Sequence, residues 1–304
     1  MKIGRFAVKV STKWGIAGDA KRRQTFPPHN EFEERLDIPY RDDGEDLHKF
    51  DVFYADKNKE NYKNVVVVDF HGGGFLFGGR KNAFMFALEF LKRGYDFIAG
   101  DYIPVKGHRG INDLVDDCAA CLAYIASHKE ELGLEGKRFV LTGDSAGGLL
   151  VLDLQCAIND KDYEEALGVD LCGFVSEAVL VNCPVFDLES IRGEKSLTDG
   201  AKKMMIGPRF SDTEFLDLYS PKMQFQRLRA PVFVSTCNRD FIRSHPLKLI
   251  EALKGRPDLL SRVMDIEDDS VDHVHNVNDT KAPASIAVNE AMAGFIEEAL
   301  KLKR

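Results

Sequence analysis

The stretch Phe139-Val140-Leu141-Thr142-Gly143-Asp144-Ser145-Ala146-Gly147-Gly148 decides how the chain is read. An apolar run ends in a G-x-S-x-G pentapeptide, and Ala146–Ile158 continues as an apolar helical stretch. A turn from strand to helix this tight leaves no room for bulk beside the serine. Gly143 and Gly147 supply the room, and Gly148 lets the helix pack closely. Ser145 is then expected at the carboxyl end of a sheet strand, above backbone N–H groups and the positive end of a helix dipole. A chance pentapeptide in a loop is the competing reading; the strand before it and the helix after it count against that.

Outward from this point the chain alternates. Strands are expected at Leu36–Tyr40, Lys49–Tyr54, Asn64–Phe70, Tyr95–Ala99, Arg138–Thr142, Ala178–Val181, Pro231–Thr236 and Arg262–Ile266. Helices are expected at Arg80–Lys92, Ile111–Glu131, Ala146–Ile158, Pro246–Leu253 and Ala284–Leu302. The four consecutive valines Val65–Val68 suit a strand buried on both faces. The order implies an α/β fold, a mostly parallel sheet with helices on both sides. The charged, Gly-punctuated interval 187–220 breaks the rhythm and reads as an insertion over one end of the sheet. Trp14–Asn30, basic and then Pro-containing, reads as an arm or part of a lid.

His71-Gly72-Gly73-Gly74 is a second signal, again just after a strand. Three glycines leave backbone N–H groups open to a ligand, and the N–H groups of Gly72, Gly73 and Ala146 are the expected oxyanion donors. A phosphate loop fits poorly, because no helix-opening G-x-G-x-x-G or G-K-[ST] pattern follows. His71 is expected to orient the loop. A serine nucleophile needs a base, and the base needs an orienting acid. Asp240 lies just past the apolar strand Pro231–Thr236. His273 and His275 both follow the last expected strand, and the residues alone do not choose between them.

Composition bounds the alternatives. The chain has 304 residues and a formal charge of −8, with 44% apolar and 30% charged residues, which fits an ordinary globular protein of one large domain or two small ones. An acidic balance argues against nucleic acid or an anionic membrane as a general partner. No run reaches the roughly 18 apolar residues of a membrane span, and Met1–Val10 is too short in apolar residues for a signal peptide. The six cysteines are scattered through apolar stretches, so buried, reduced thiols and a cytoplasmic location are expected. Cys118 and Cys121 form a C-x-x-C without a second pair, and core packing on the Ile111–Glu131 helix accounts for them better than metal binding.

The chain resembles the hormone-sensitive-lipase-like family of α/β-hydrolase esterases. The resemblance is carried by HGGGF at 71–75, DY at 101–102, GDSAGG at 143–148, YSP at 219–221, RDFIR at 239–243 and HVHNV at 273–277, with similar spacing onward to Pro283, Ser285 and Asn289. It implies an α/β-hydrolase fold with a small helical cap, whose elements would come from residues 1–35 and 187–220 of a single 1–304 domain. It implies a triad of Ser145, Asp240 and His273, favouring His273 over His275. The activity implied is carboxylesterase action on short-chain acyl esters, with a deacylase of acetylated or feruloylated sugars or an exopeptidase as the alternative. A non-catalytic binding protein would have no need of all three residues. No cofactor and no metal are called for, the partner is a small-molecule ester, and the family implies a homodimer without the sequence marking an interface. Two features depart from the family: Ile103-Pro104-Val105-Lys106-Gly107 replaces the usual R-L-A-P-E, and His275 stands where relatives carry an aromatic residue. Phe26, Phe32, Phe186, Met204, Met205, Ile206 and Phe210 are the residues expected to line the cap.

Overall fold

The protein is described by a computed structural model covering residues 3–27, 32–195 and 197–301. Residues 1, 2 and 28–31 of the expected 1–35 cap segment, residue 196 of the 187–220 segment and Leu302 of the terminal helix lie outside the described residues. In chain order the elements are α1 (Arg5–Arg23), β1 (Glu33–Pro39), β2 (Lys49–Tyr54), β3 (Val65–Phe70), α2 (Phe84–Leu91), β4 (Asp96–Gly100), α3 (Ile111–Ser127), β5 (Arg138–Asp144), α4 (Ser145–Asn159), α5 (Lys161–Leu167) and β6 (Val179–Asn182). The chain continues with α6 (Leu188–Gly193), α7 (Asp199–Ile206), α8 (Thr213–Leu218), α9 (Pro221–Gln224), β7 (Val232–Cys237), α10 (Ser244–Lys254), β8 (Ser261–Ile266), α11 (His275–Asn278) and α12 (Pro283–Lys301).

The strands form one eight-stranded sheet in the order β1-β2-β4-β3-β5-β6-β7-β8. β1 and β2 pair antiparallel and β2 meets β4 antiparallel, while every pairing from β4 to β8 is parallel. Side-chain alternation divides each central strand between two cores. Val66, Val68 and Phe70 of β3 pack with α3 and α4, whereas Val65 and Val67 pack with α2 and α12. Both faces are therefore covered, which is why these strands read as continuous apolar runs. This is the α/β-hydrolase layout that the sequence implies. Among the described residues no helix is long and apolar enough to cross a membrane.

Three expectations are corrected. The segment from Trp14, read as an arm or part of a lid, is helical through Arg23, as the second half of the 19-residue helix α1. The expected Arg80–Lys92 helix is split, with a 3-10 turn at Arg80–Asn82 before α2. The Arg80 guanidinium is drawn into buried ion pairs with Asp51 and Asp101, which turns the chain before the helix begins. The cysteines are all free, but Cys172 is exposed, in a turn where its φ is +48°.

The tightest packing in the sheet lies at the elbow. A Cβ at Gly147 would stand 1.9 Å from the carbonyl oxygen of Phe70, a backbone atom of a central strand that cannot move aside. Gly147→Ala is expected to cost more than about 3 kcal/mol of stability. Gly18→Ala on α1, where an added Cβ meets nothing within 4 Å, is expected to gain about 0.5–1 kcal/mol. Chemical unfolding of the two variants checks both signs.

Candidate active site

Ser145 is the first residue of α4 and has φ +52°. A non-glycine residue in that region costs on the order of 1–3 kcal/mol, and the packed strand and helix on either side hold it there. The hydroxyl reaches His273, with Nε2 at 2.9 Å from Oγ. The other ring nitrogen, Nδ1, lies 2.7 Å from Oδ1 of Asp240. The three residues come from the ends of β5 and β7 and the loop after β8, so a parallel sheet is what gathers them.

Asp240 is the best-supported member of this set. Its Oδ1 also accepts from the Ile242 N–H at 2.9 Å and its Oδ2 from the Thr236 hydroxyl at 3.0 Å. Burial works against its ionisation, yet His273 and these two donors outweigh that and hold the carboxyl below the ordinary carboxylate range. The carboxylate therefore stays ionised through neutral pH and fixes which nitrogen of His273 carries the proton. Thr236 was not singled out in the sequence; its place at the end of an apolar strand, four residues before Asp240, was the available signal.

The two histidines separate cleanly. His275 faces away, with Nδ1 bonded to the Ser285 hydroxyl at 2.8 Å. Burial lowers its pKa, so the ring is a neutral packing element. Asn276 holds the same loop to the sheet, donating to Asn182 at 2.9 Å and to Asn289 at 3.1 Å. Ser285 and Asn289 thus have a physical role: they tie α12 to the loop that carries His273.

The glycine loop differs from expectation at one donor. The N–H of Gly72 donates to Oδ1 of Asp144 at 2.9 Å and is already engaged. The N–H groups of Gly73, Gly74 and Ala146 have no hydrogen-bond partner among the described residues. Gly73 has φ +123°, and a Cβ there would stand 1.9 Å from the Phe77 carbonyl oxygen, so only glycine fits. His71 does orient the loop: its ring stacks on Tyr102 at 4.3 Å and its Nδ1 donates to the Gly72 carbonyl at 2.7 Å.

A cavity of about 770 Å³ opens over Ser145. Val8 of α1, Phe75, Leu76, Val185, Ile191 of α6, Leu197 and Met205 of α7 make its apolar wall. Of the seven residues expected to line a cap, Met205 alone does so. Phe186 and Ile206 are core, packed against the helices beneath, while Phe26 and Phe32 pack toward α2. Polar residues line the cavity as well, Asp69, Arg22 and Asn82 among them. There Asn82 donates to Asp19 at 2.8 Å and Arg22 bonds Asn278, which latches α1 to the chain around the site.

His245 also borders the cavity, accepting from the Phe186 N–H at 3.3 Å. Burial, with Lys248 nearby, pushes its pKa from 6.5 down to about 4. The unfolded chain therefore takes up a proton that the folded chain refuses, and stability present above pH 6.5 is lost as pH falls toward about 4. His245→Gln keeps an acceptor for Phe186 and is expected to lose less melting temperature across that window than the parent. Equal acid sensitivity of the two proteins would refute this assignment.

With the geometry described, known proteins can be compared. The BD-FAE family model matches residues 50–246, well over half of the chain. Lipase 2 of Moraxella sp. (strain TA144) is 32% identical over 93 residues, 30% of this chain, and the match spans 21% of that lipase. Esterase B from Lactobacillus rhamnosis has a similar structure, with a TM-score of 0.85 at 19% identity over 97% of this chain and 96% of that one. The carboxylesterase Cest-2923 from Lactobacillus plantarum WCFS1 aligns with a TM-score of 0.67 at 17% identity, over 89% of this chain and 98% of the other. At these identities the structural neighbours establish the α/β-hydrolase fold, and the match over residues 50–246 makes the chain a member of the BD-FAE family.

Proposed function

We propose that the protein is a serine carboxylesterase that hydrolyses short-chain acyl esters through an acyl-enzyme on Ser145. The observation that carries this reading is the line of hydrogen bonds from Ser145 through His273 to Asp240, 2.9 and 2.7 Å long, at the floor of an apolar cavity. His273 takes the hydroxyl proton on Nε2 as Ser145 Oγ attacks the ester carbonyl. Asp240 stabilises the imidazolium that forms. The tetrahedral oxygen is met by Gly73, Gly74 and Ala146, the donors that the fold leaves free. Each such donor is worth about 10²–10³ in turnover. The protonated His273 gives its proton to the leaving alcohol, and the same nitrogen then activates water to release the acid. Asp144 serves as a brace, because its carboxylate is spent on the Gly72 N–H. No step calls for a metal or an organic cofactor.

The short-chain reading is supported by esterase B of Lactobacillus rhamnosis, which is inhibited by a C4-C4 SN3 tributyrin phosphonate. The polar residues of the lining favour a second reading, a deacylase of acetylated or feruloylated sugars, whose hydroxyls would meet Asp69, Arg22 and Asn82. In either reading α1 and the helices between 187 and 220 act as the cap, and the partner is a small ester.

Ser145→Ala is expected to lower turnover of short p-nitrophenyl esters by about 10⁴-fold or more and to abolish labelling by a fluorophosphonate. Asp240→Asn is expected to cost a similar factor. His273→Ala is expected to be far more damaging than His275→Ala. Retained labelling of the Ser145→Ala protein would overturn the proposal. Rates on p-nitrophenyl butyrate, acetylated sugars and feruloyl esters, measured side by side, separate the two readings.

A further inference from the structure

The outer face of α1 combines exposed apolar side chains with a run of cations. Phe6, Val10 and Trp14 are spaced four residues apart and form one ridge along the helix. Phe6 is 80% and Trp14 75% exposed. Arg5, Lys9 and Lys13 form the neighbouring ridge at the same spacing, all exposed, and Lys21 and Arg23 continue the charge at the last turn. The helix holds six cations against the single anion Asp19, in a chain whose net charge is −8. Ile3, just before the helix, and Phe241, beside His273, are exposed as well and lie at the mouth of the cavity.

We propose that this face of α1 docks on an anionic lipid surface. The Phe6–Val10–Trp14 ridge would sit among the acyl chains, with Arg5, Lys9, Lys13 and Lys21 against the lipid phosphates. An apolar ridge flanked by cations on a helix too charged to span a membrane is the pattern that lies in the plane of an interface. Lysine stems are long enough to follow the ridge inward while their ammonium groups stay at phosphate level. The acidic balance of the whole chain hides this, since surface attraction acts over about 10 Å and reads local charge. A second copy of the chain is a poorer occupant, because a symmetric pair would set one cationic ridge against another. The opposite face of α1, through Val8, Ser11 and Thr12, lines the cavity. Docking would therefore place α1 between the lipid and the cavity, with the exposed Ile3 and Phe241 at the rim.

Trp14 is the only tryptophan in the chain, so its emission reports on this face alone. The Ser145→Ala protein, which removes any hydrolysis of the lipid, is titrated with phosphatidylcholine–phosphatidylglycerol vesicles and with pure phosphatidylcholine vesicles. The proposal expects a blue shift and cosedimentation with the mixed vesicles, about tenfold weaker on the neutral ones and reduced by salt. Lys9→Glu with Lys13→Glu is expected to weaken binding about tenfold, and Phe6→Ser with Val10→Ser to suppress the shift. All four positions are exposed or half-buried, and circular dichroism checks that the variants fold. No shift with anionic vesicles, or equal binding to neutral ones unaffected by the charge reversal, would overturn the proposal. So would a vesicle-free shift that grows with protein concentration, which would place Trp14 between two copies.

Discussion

The arrangement of the candidate site hangs on one close approach, that of Gly147 to the carbonyl oxygen of Phe70. A single added carbon at Gly147 would fall within 1.9 Å of that oxygen. The approach lets α4 start directly at the end of β5, which in turn forces Ser145 to φ +52°. A residue so strained would relax into the helix if either neighbour were loose. Neither is: β5 is hydrogen-bonded on both sides, and α4 is buried from Ser145 to Ala157. The strain is thus carried by the core, and its product is a hydroxyl lifted toward His273 with the Ala146 N–H free beneath it.

The same packing decides how the neighbouring groups are used. Asp144, the residue before the serine, could have competed with Asp240 as a partner for the base. It is removed from that contest by the Gly72 N–H. Burial raises its pKa while that hydrogen bond lowers it, so the contact both restrains the glycine loop and holds the carboxyl in place. Asp240, by contrast, collects three donors and remains ionised. Two aspartates near one serine thereby take different roles through their hydrogen-bond partners alone.

Much of this was legible in the chain because it rests on local rules. The valine run of β3, the glycines of the elbow and the apolar strand before Asp240 each report a steric or burial requirement that acts within a few residues. The cap was not legible in the same way. Phe186 and Ile206 looked like candidates for a pocket wall but fill the core, while Val8 and Ile191 reach the cavity from two helices far apart in sequence. Apolar character alone does not say which side of a short helix faces a void.

The sequence by itself determined the sheet-and-helix order, the tight strand-to-helix turn at Ser145 and the candidate acid beyond β7, since each is encoded in residue types whose spacing the backbone enforces. The residue pattern alone left His273 and His275 open, with the family resemblance favouring His273, and it counted Gly72 among the oxyanion donors. Only the tertiary structure shows which groups these residues meet across the sheet. His275 finds Ser285 on α12, Gly72 finds Asp144 on β5, and the cations of an acidic chain gather on one face of α1. Hydrogen-bond partners and surface charge are properties of neighbours in space, and those neighbours are fixed by the packing of elements that the linear pattern identifies but does not orient.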